Sequence, residues 1–419
     1  MRWLVVLLLS KLCLALTLEE AIERALKENP QLQAKRYNVR SAELQLKAEG
    51  QLFMPELFAG YKLSWQSERQ SIQMPAIGPF PPMRLDSTER SYQNLQLGLR
   101  YVLYDGGLRS SRVDIAGILL KSSQLELEES LLDLKLDVIR AYLNALSARD
   151  SLEVIRAQLK AIESDLRQRE AFFREGLVAI TDVLQARVRL AEVQRDLRQA
   201  EGNYRIALEE LSRLTGAQEI KQLQSPKLDI KEPNPDELMQ TARQKRPILK
   251  LAQERVNLSQ REKRAILSSL YPKVLLEGAY LYSDQNPRLE PKGILSASLL
   301  VSLSLQGAQP YYQVLAKSEE EKKAKEELRD LQEKVRLQIK SAYEGLLVAK
   351  DNLRVSEENL RFAEEFYRLS LEQYRNQIIS GTDLLQAEAS LTQARRAKVI
   401  SYYELLKAYF ELLRVGGVL

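Results

Sequence analysis

The chain has 419 residues, 45% of them apolar and 28% charged, with 62 Lys and Arg against 57 Asp and Glu. It holds no histidine and one cysteine, which excludes an imidazole base, a Cys nucleophile paired with His, and the common zinc sites. A net charge of +5 spread over so many ions gives no basic surplus for nucleic acid, and no Walker-type or GxGxxG loop is present. No enzyme activity, cofactor or metal is expected.

Residues 1–15 read as a secretory signal peptide. Met1-Arg2 supplies a positive start, Trp3 to Leu9 is an unbroken apolar run, and Cys13-Leu14-Ala15 closes it with small residues. The run is shorter than the roughly 20 apolar residues of a membrane-spanning helix. Cys13 also suggests a lipid-attachment cysteine, but Leu12 before it is too large for that signal. Removing the segment takes away Arg2 and Lys11 and leaves a chain with neither cysteine nor histidine.

The rest of the chain is one unit written twice. A shift of 201 residues carries Arg174, Thr181, Asp182, Leu184, Gln185 and Ala186 onto Arg375, Thr382, Asp383, Leu385, Gln386 and Ala387. The same shift carries Leu211, Arg213 and Gly216 onto Leu412, Arg414 and Gly417. Residues 16–217 form the first structural repeat and 236–419 the second. Between them, 218–235 is a linker containing Pro226, Pro233 and Pro235.

In each repeat a helix leads to a pair of strands. Leu57, Ala59, Tyr61, Leu63 and Trp65 alternate with Phe58, Gly60, Lys62 and Ser64, and only Phe58 breaks the polar side. Leu95, Leu97, Leu99, Tyr101 and Leu103 alternate with Gln96, Gly98 and Arg100. Strands are therefore expected over about 56–65 and 94–104, and by the same pattern over about 273–283 and 294–305. Period-two alternation over about ten residues with aromatics at an end is the pattern of a transmembrane β-barrel. Trp65, Tyr280 and Tyr282 are the candidates for its interfacial aromatic belt.

After the strands the period changes. From Leu108 to Glu175 there is no proline, and Leu131, Leu134, Val138, Ala141 and Ala145 recur at three-and-four spacing. Roughly 68 residues at about 1.5 Å each give about 100 Å of helix, which must pack lengthwise as a coiled coil. A matching run extends from Tyr311 to Gln377. Each long helix ends in a short tip, Gly176-Leu177-Val178-Ala179-Ile180 and Ile378-Ile379-Ser380-Gly381. Thr181-Asp182 and Thr382-Asp383 come next, with Thr expected to cap the returning helix and Asp to sit in its first turn.

Four strands do not enclose a barrel, and open sheet edges are not tolerated in lipid. Closure must come from oligomerisation: two chains give eight strands, three give twelve and four give sixteen. Eight strands enclose a core filled with side chains, so the polar inner faces make a trimer the smallest open solution.

Leu18-Glu19-Glu20-Ala21, Asn29-Pro30, Tyr104-Asp105-Gly106-Gly107 and the tip run Gly176 to Leu184 together resemble the TolC family of outer-membrane efflux proteins. The resemblance covers essentially the whole mature chain. It implies a mainly α fold with a transmembrane β-barrel. A homotrimer would form a 12-stranded barrel continuous with a long periplasmic α-helical coiled-coil barrel. It further implies a passive exit duct in outer-membrane lipid, serving tripartite efflux or type I secretion, with a periplasmic adaptor and an inner-membrane pump as partners. The competing reading, a periplasmic coiled-coil adaptor or scaffold, would have one helical hairpin beside soluble β domains, which the duplicated hairpins and four strands disfavour.

By the same resemblance Asp383, Gln386, Asp182 and Tyr374 fall at the pore constriction. Gly176, Leu177, Val178, Ala179, Thr181, Ile378, Ile379, Ser380, Gly381 and Thr382 form the adaptor-docking tips. Two departures stand out. Gln306-Gly307-Ala308 replaces the Asp-Gly-Gly turn in the second repeat, and Ile379 stands where the family has a tip arginine, leaving Arg375 as the cation expected to close the tip.

Overall fold

A computed structural model describes residues 16–217, 220, 222–226, 230, 232–304, 307–376 and 378–419. The signal segment with Cys13, parts of the linker, Gln306 and Gln377 lie outside the described residues. The elements are α1 (Leu18–Glu28), α2 (Pro30–Gly50), β1 (Glu56–Trp65), β2 (Ser71–Met74), β3 (Met83–Asp86), β4 (Ser91–Tyr104), α3 (Leu108–Arg174) and α4 (Ile180–Thr215). They continue with α5 (Pro235–Lys245), α6 (Pro247–Ser268), β5 (Lys273–Ser283), β6 (Gly293–Ser302), α7 (Gln309–Arg375) and α8 (Gly381–Gly416).

Element lengths recur between the repeats. The long helices α3 and α7 have 67 residues each and the returning helices α4 and α8 have 36 each. The offset is 217 residues at Glu56/Lys273 and 201 at Leu108/Gln309, and the 16-residue difference is the length of Ser71–Asp86. That segment is a hairpin, β2 paired with β3, which the alternation pattern does not reveal. The short helices α1 and α5 are likewise hidden in the periodicity; the extended backbones of Asn29 and Arg246 end them before Pro30 and Pro247. Thr17 and Glu20 form a reciprocal cap on α1, and Asn234 caps α5.

The chain divides into two compact units that cut across the repeats. One comprises Asn38–Gln124 and Leu251–Leu328 and contains the strands. Its main sheet is antiparallel in the order β1-β4-β5-β6, so among the described residues β1 and β6 each keep one edge unpaired within the chain. The register puts Ala59, Leu97, Tyr280 and Leu295 in one row and Leu57, Leu99, Gly278 and Ala297 in the next. This face is apolar and open, with Leu295 85% exposed. The opposite face carries a row of Glu56, Arg100, Glu277 and Ser298. Arg100 lies 3.0 Å from Glu277 and 3.7 Å from Glu56, with its guanidinium 5.3 Å from the Phe58 ring centre. Phe58, which interrupts the polar alternation, lays its ring over Gly98, where a side chain would overlap it.

The turn leaving β4 is built on Asp105, whose carboxylate accepts the N–H groups of Gly107 and Arg109 and the Arg109 guanidinium. Gly106 takes φ +67 and packs against Ser268 and Tyr271, so both its conformation and its space require glycine. Gly307 repeats that conformation with φ +61. Ion pairs join the neighbouring helices of this unit, with Asp114 to Arg261 at 2.9 Å and Lys317 to Glu262 at 2.9 Å.

The other unit comprises Met1–Tyr37, Leu125–Lys250 and Arg329–Leu419. Its core is a lengthwise helical seam. Leu134, Val138, Ala141 and Ala145 are buried as the spacing predicts, together with Tyr142, Leu143, Leu211 and Leu406. A second cluster centres on Ile339, Leu346 and Leu412, and a third on Leu152, Ile155, Ile162 and Val193. The returning helices end in left-handed glycines, Gly216 beside Glu28 and Gly417 beside Arg246, so each abuts the break at which a short helix ends. Arg414 is buried and binds Glu129 and Asp133, both at 2.6 Å, whereas its repeat partner Arg213 is exposed. The linker docks on this unit: Leu16 pairs with Leu223, and the buried Tyr142 hydroxyl sits between the carbonyls of Leu16 (2.7 Å) and Gln224 (2.6 Å), donating its one proton to either.

Candidate functional site

The predicted site residues lie in two places: the tips, in the helical unit, and the sheet surface. At the first tip α3 ends in a left-handed Gly176 with φ +71. The Gly176 N–H bonds Phe173 O at 3.0 Å and the Leu177 N–H bonds Phe172 O at 2.9 Å. The second tip repeats the longer step, Ile378 N–H to Gln373 O at 2.8 Å. Leu177, at 64%, and Ile378 are exposed, Val178 and Ile379 are half-buried, and Ala179, Thr181, Ser380 and Thr382 face solvent.

The caps differ from the expectation. Neither threonine is an N-cap. In α4 the cap is Ala179, which makes no side-chain bond, and Thr181 already lies inside the helix. In α8 the cap is Ser380, reciprocally bonded with Asp383. Gly381, expected in the non-helical tip, is the first residue of α8 and is buried. Thr382 instead donates to Gln185 Oε1 at 3.1 Å, tying the start of α8 to α4.

Asp182 and Asp383 both occupy first turns, where a carboxylate complements the helix dipole. The Ser380 hydroxyl and backbone N–H, at 2.7 and 3.0 Å, hold the Asp383 carboxyl below the ordinary aspartate range. Gln386 is exposed one turn further along α8.

The buried cation at the tip is Arg169 of α3; Arg375 is exposed. Arg169 is 1% exposed. Its Nε donates to Asp165 at 2.7 Å, its Nη2 approaches the Gly381 carbonyl at 3.4 Å, and its guanidinium lies 5.3 Å from the Tyr374 ring centre. A side chain at position 381 would have to displace that guanidinium. One inter-helix contact thus gathers Tyr374, Gly381 and Asp165 while Ile379 takes no part. The sequence carried a signal for it: Arg169 comes after Ile155 and Ile162 at seven-residue steps, a charged residue at a seam position.

At the sheet, Trp65 is exposed at the end of β1, and Tyr280 and Tyr282 lie on the same face of β5 toward the same end. At the opposite ends of the strands the exposed tyrosines are Tyr104, Tyr271, Tyr311 and Tyr312, which the strand pattern alone does not single out. An exposed apolar band is thereby flanked by aromatics on both sides.

Arg169→Ala should loosen the tips by roughly 2 kcal/mol, a figure reduced because Asp165 regains water, and so raise local opening on the order of 30-fold. Limited proteolysis within 176–180 and 378–380 measures this. Unchanged cleavage would mean that the guanidinium does not hold the tips.

Known proteins match this fold. The family model for outer membrane efflux protein matches residues 21–217. Outer membrane protein TolC of Escherichia coli (strain K12) is 38% identical over 81 residues, an alignment spanning 19% of this chain and 16% of that protein. A membrane protein from Pseudomonas aeruginosa superposes with a TM-score of 0.80 at 17% identity, covering 96% of this chain and 93% of its own. The outer membrane protein VceC from Vibrio cholerae does so with 0.78 at 17%, covering 96% of both chains. With the fold and the duplicated tips in place, residues 21–217, the first repeat, match the outer membrane efflux protein family, and the chain as a whole shares the fold of these membrane proteins.

Proposed function

We propose that three copies of this chain form a passive exit duct across the outer membrane. The observation that carries the reading is the sheet. Four strands present an exposed apolar face, an opposite face bearing Glu56, Arg100 and Glu277, and two unpaired edges, β1 and β6. Three copies joined β6 to β1 give twelve strands, an apolar surface toward lipid and a charged lumen wide enough for water. Trp65, Tyr280 and Tyr282 form one aromatic girdle, and the tyrosines at the other strand ends form the second.

The helical unit supports the same assembly. Along α7, Leu337, Val348, Val355, Phe362, Phe366 and Leu369 are exposed, with Phe362 at 73%, and a second copy would cover this stripe. Because α4 and α8 are repeats, the bond from Thr382 to Gln185 within a chain implies its counterpart between chains, Thr181 of one copy to Gln386 of the next.

Three copies of Asp383 around the axis form a ring of like charge that favours cations at the constriction, with Gln386, Asp182 and Tyr374 near it. The exposed tips, six per trimer, offer small and apolar residues to the helical hairpin of a periplasmic adaptor, which links the duct to an inner-membrane pump. In this reading energy comes from the pump and the duct only conducts.

Planar-bilayer recording tests the duct. The protein should give cation-preferring channels blocked by trivalent cations. Asp383→Asn, which removes the charge and keeps an acceptor for the Ser380 cap, should weaken both properties. Unchanged block would take Asp383 out of the pore. Gly176→Glu should abolish capture of the cognate adaptor in a pull-down while oligomer assembly persists; full capture would put docking elsewhere.

A further inference from the structure

Glu388 lies on the inner side of α8, five residues beyond Asp383. It is 8% exposed, four residues after the buried Leu384 and three before the buried Leu391, so a carboxyl occupies a seam position. Its Oε1 has no hydrogen-bond partner among the described residues. The groups around it come from four helices. From α3 come Gln158, Asp165 and Arg169; from α4, Arg189; from α7, Tyr367. Glu364 of α7 and Arg395 of α8 line the same cavity of about 220 Å³.

Neither nearby arginine is committed to Glu388. The Arg189 Nη1 is bonded to Glu192 at 2.9 Å and its Nε is unpartnered. The Arg169 Nε is bonded to Asp165, and its Nη1 is likewise unpartnered. A neutral carboxyl fits this setting. A carboxylate there has one oxygen without a partner among the described residues, to be met only by water in the cavity or by an arginine that turns toward it. The arginine nearest the tip is the one seated against Gly381 and Tyr374.

We propose that Glu388 is a proton-sensitive element of the tip: its neutral form packs the contact of α8 with α3, and its carboxylate loosens that contact by competing with Asp165 and Gly381 for Arg169. Burial pushes the Glu388 carboxyl up to about 7, helped by the charge of Asp165, while Arg189, Gln158 and Arg169 pull it down without offsetting burial. The group's folded value is raised above its ordinary 4.5. The stability it contributes is therefore complete below about 4.5 and is lost as pH rises through about 7. Mildly acid surroundings tighten the tip and alkaline ones loosen it. The consequence for conduction rests on the duct reading; the titration itself does not.

Hydrogen exchange of the full detergent-purified protein, followed by mass spectrometry and corrected for intrinsic rates, tests this at about pH 6 and about pH 8. If the opened carboxyl titrates normally, opening of the segments around 165–190 and 374–390 should rise about tenfold across that interval. Glu388→Gln should abolish the rise and keep, at the higher pH, the protection the wild type has at the lower. A wild type without the rise, or a Gln variant that retains it, overturns the proposal. Should Glu388→Gln fail to assemble, infrared titration of the wild type decides: a protonated-carboxyl band must disappear with a midpoint near 7, and its absence between about pH 6 and 8 overturns the proposal equally.

Discussion

The backbone of β1 and β6 carries a row of N–H and C=O groups that the chain itself leaves unpaired. In lipid each such group costs several kcal/mol, far more than any side-chain contact returns. The apolar band of Leu57, Leu97, Leu295 and Leu299 commits this sheet to an apolar environment. The two facts are compatible only if each edge finds another strand, and the strand of matching pattern is the opposite edge of another copy. In the proposed trimer the exposed α7 stripe and an inter-chain counterpart of the Thr382–Gln185 bond would follow from the same closure.

The tips obey a different logic. Beside the buried Val183, Ala186, Leu384 and Ala387 they carry several polar contacts: the Ser380–Asp383 cap, the Thr382–Gln185 bond and the seat of Arg169 on Gly381 and Tyr374. The rest of the helical unit is sealed by apolar clusters around Tyr142, Ile339 and Ile155. A segment held in part by hydrogen bonds and a buried cation opens more easily than one held by a continuous apolar seam. Placing Arg169 and Glu388 where leucines would otherwise sit concentrates that weakness at the end of the long helices. Arg414 shows the contrasting use of a buried cation. Two carboxylates at 2.6 Å bind its Nη2, while its Nη1 has no partner among the described residues, and it lies where the returning helix meets α3.

Most of the fold was legible because its periods are long and uninterrupted. The alternation in β1, β4, β5 and β6 gave strand positions to within a few residues, and the 67-residue helices contain no proline beyond the first turn. The β2–β3 hairpin was missed because the segment 71–86 is rich in proline and pairs over only four residues per strand. The α1 and α5 helices were missed because only an extended residue before each proline separates them from the next helix. At the tips, matching the duplicated TD motif drew attention to Thr181 and Thr382. Capping depends on which residue turns the corner, and that is Ser380 in one repeat and Ala179 in the other. Arg169 and Glu388 stand at seam spacing, but apolar residues define a heptad and a charge at such a position is more often solvated than buried.

Covalent capture across the sheet edges tests the central claim most directly. Within one chain β1 and β6 are three strand spacings apart, about 14 Å, too far for a disulfide. With Cys13 replaced by Ala, Ala59→Cys in β1 is combined in turn with Leu295→Cys, Ser296→Cys, Ala297→Cys and Ser298→Cys in β6, and the membranes are oxidised. Closure by three copies predicts that at least one pair gives a ladder of covalent dimers and trimers ending at three. Monomers alone at every pair, or a ladder that ends at two or passes three, would contradict it.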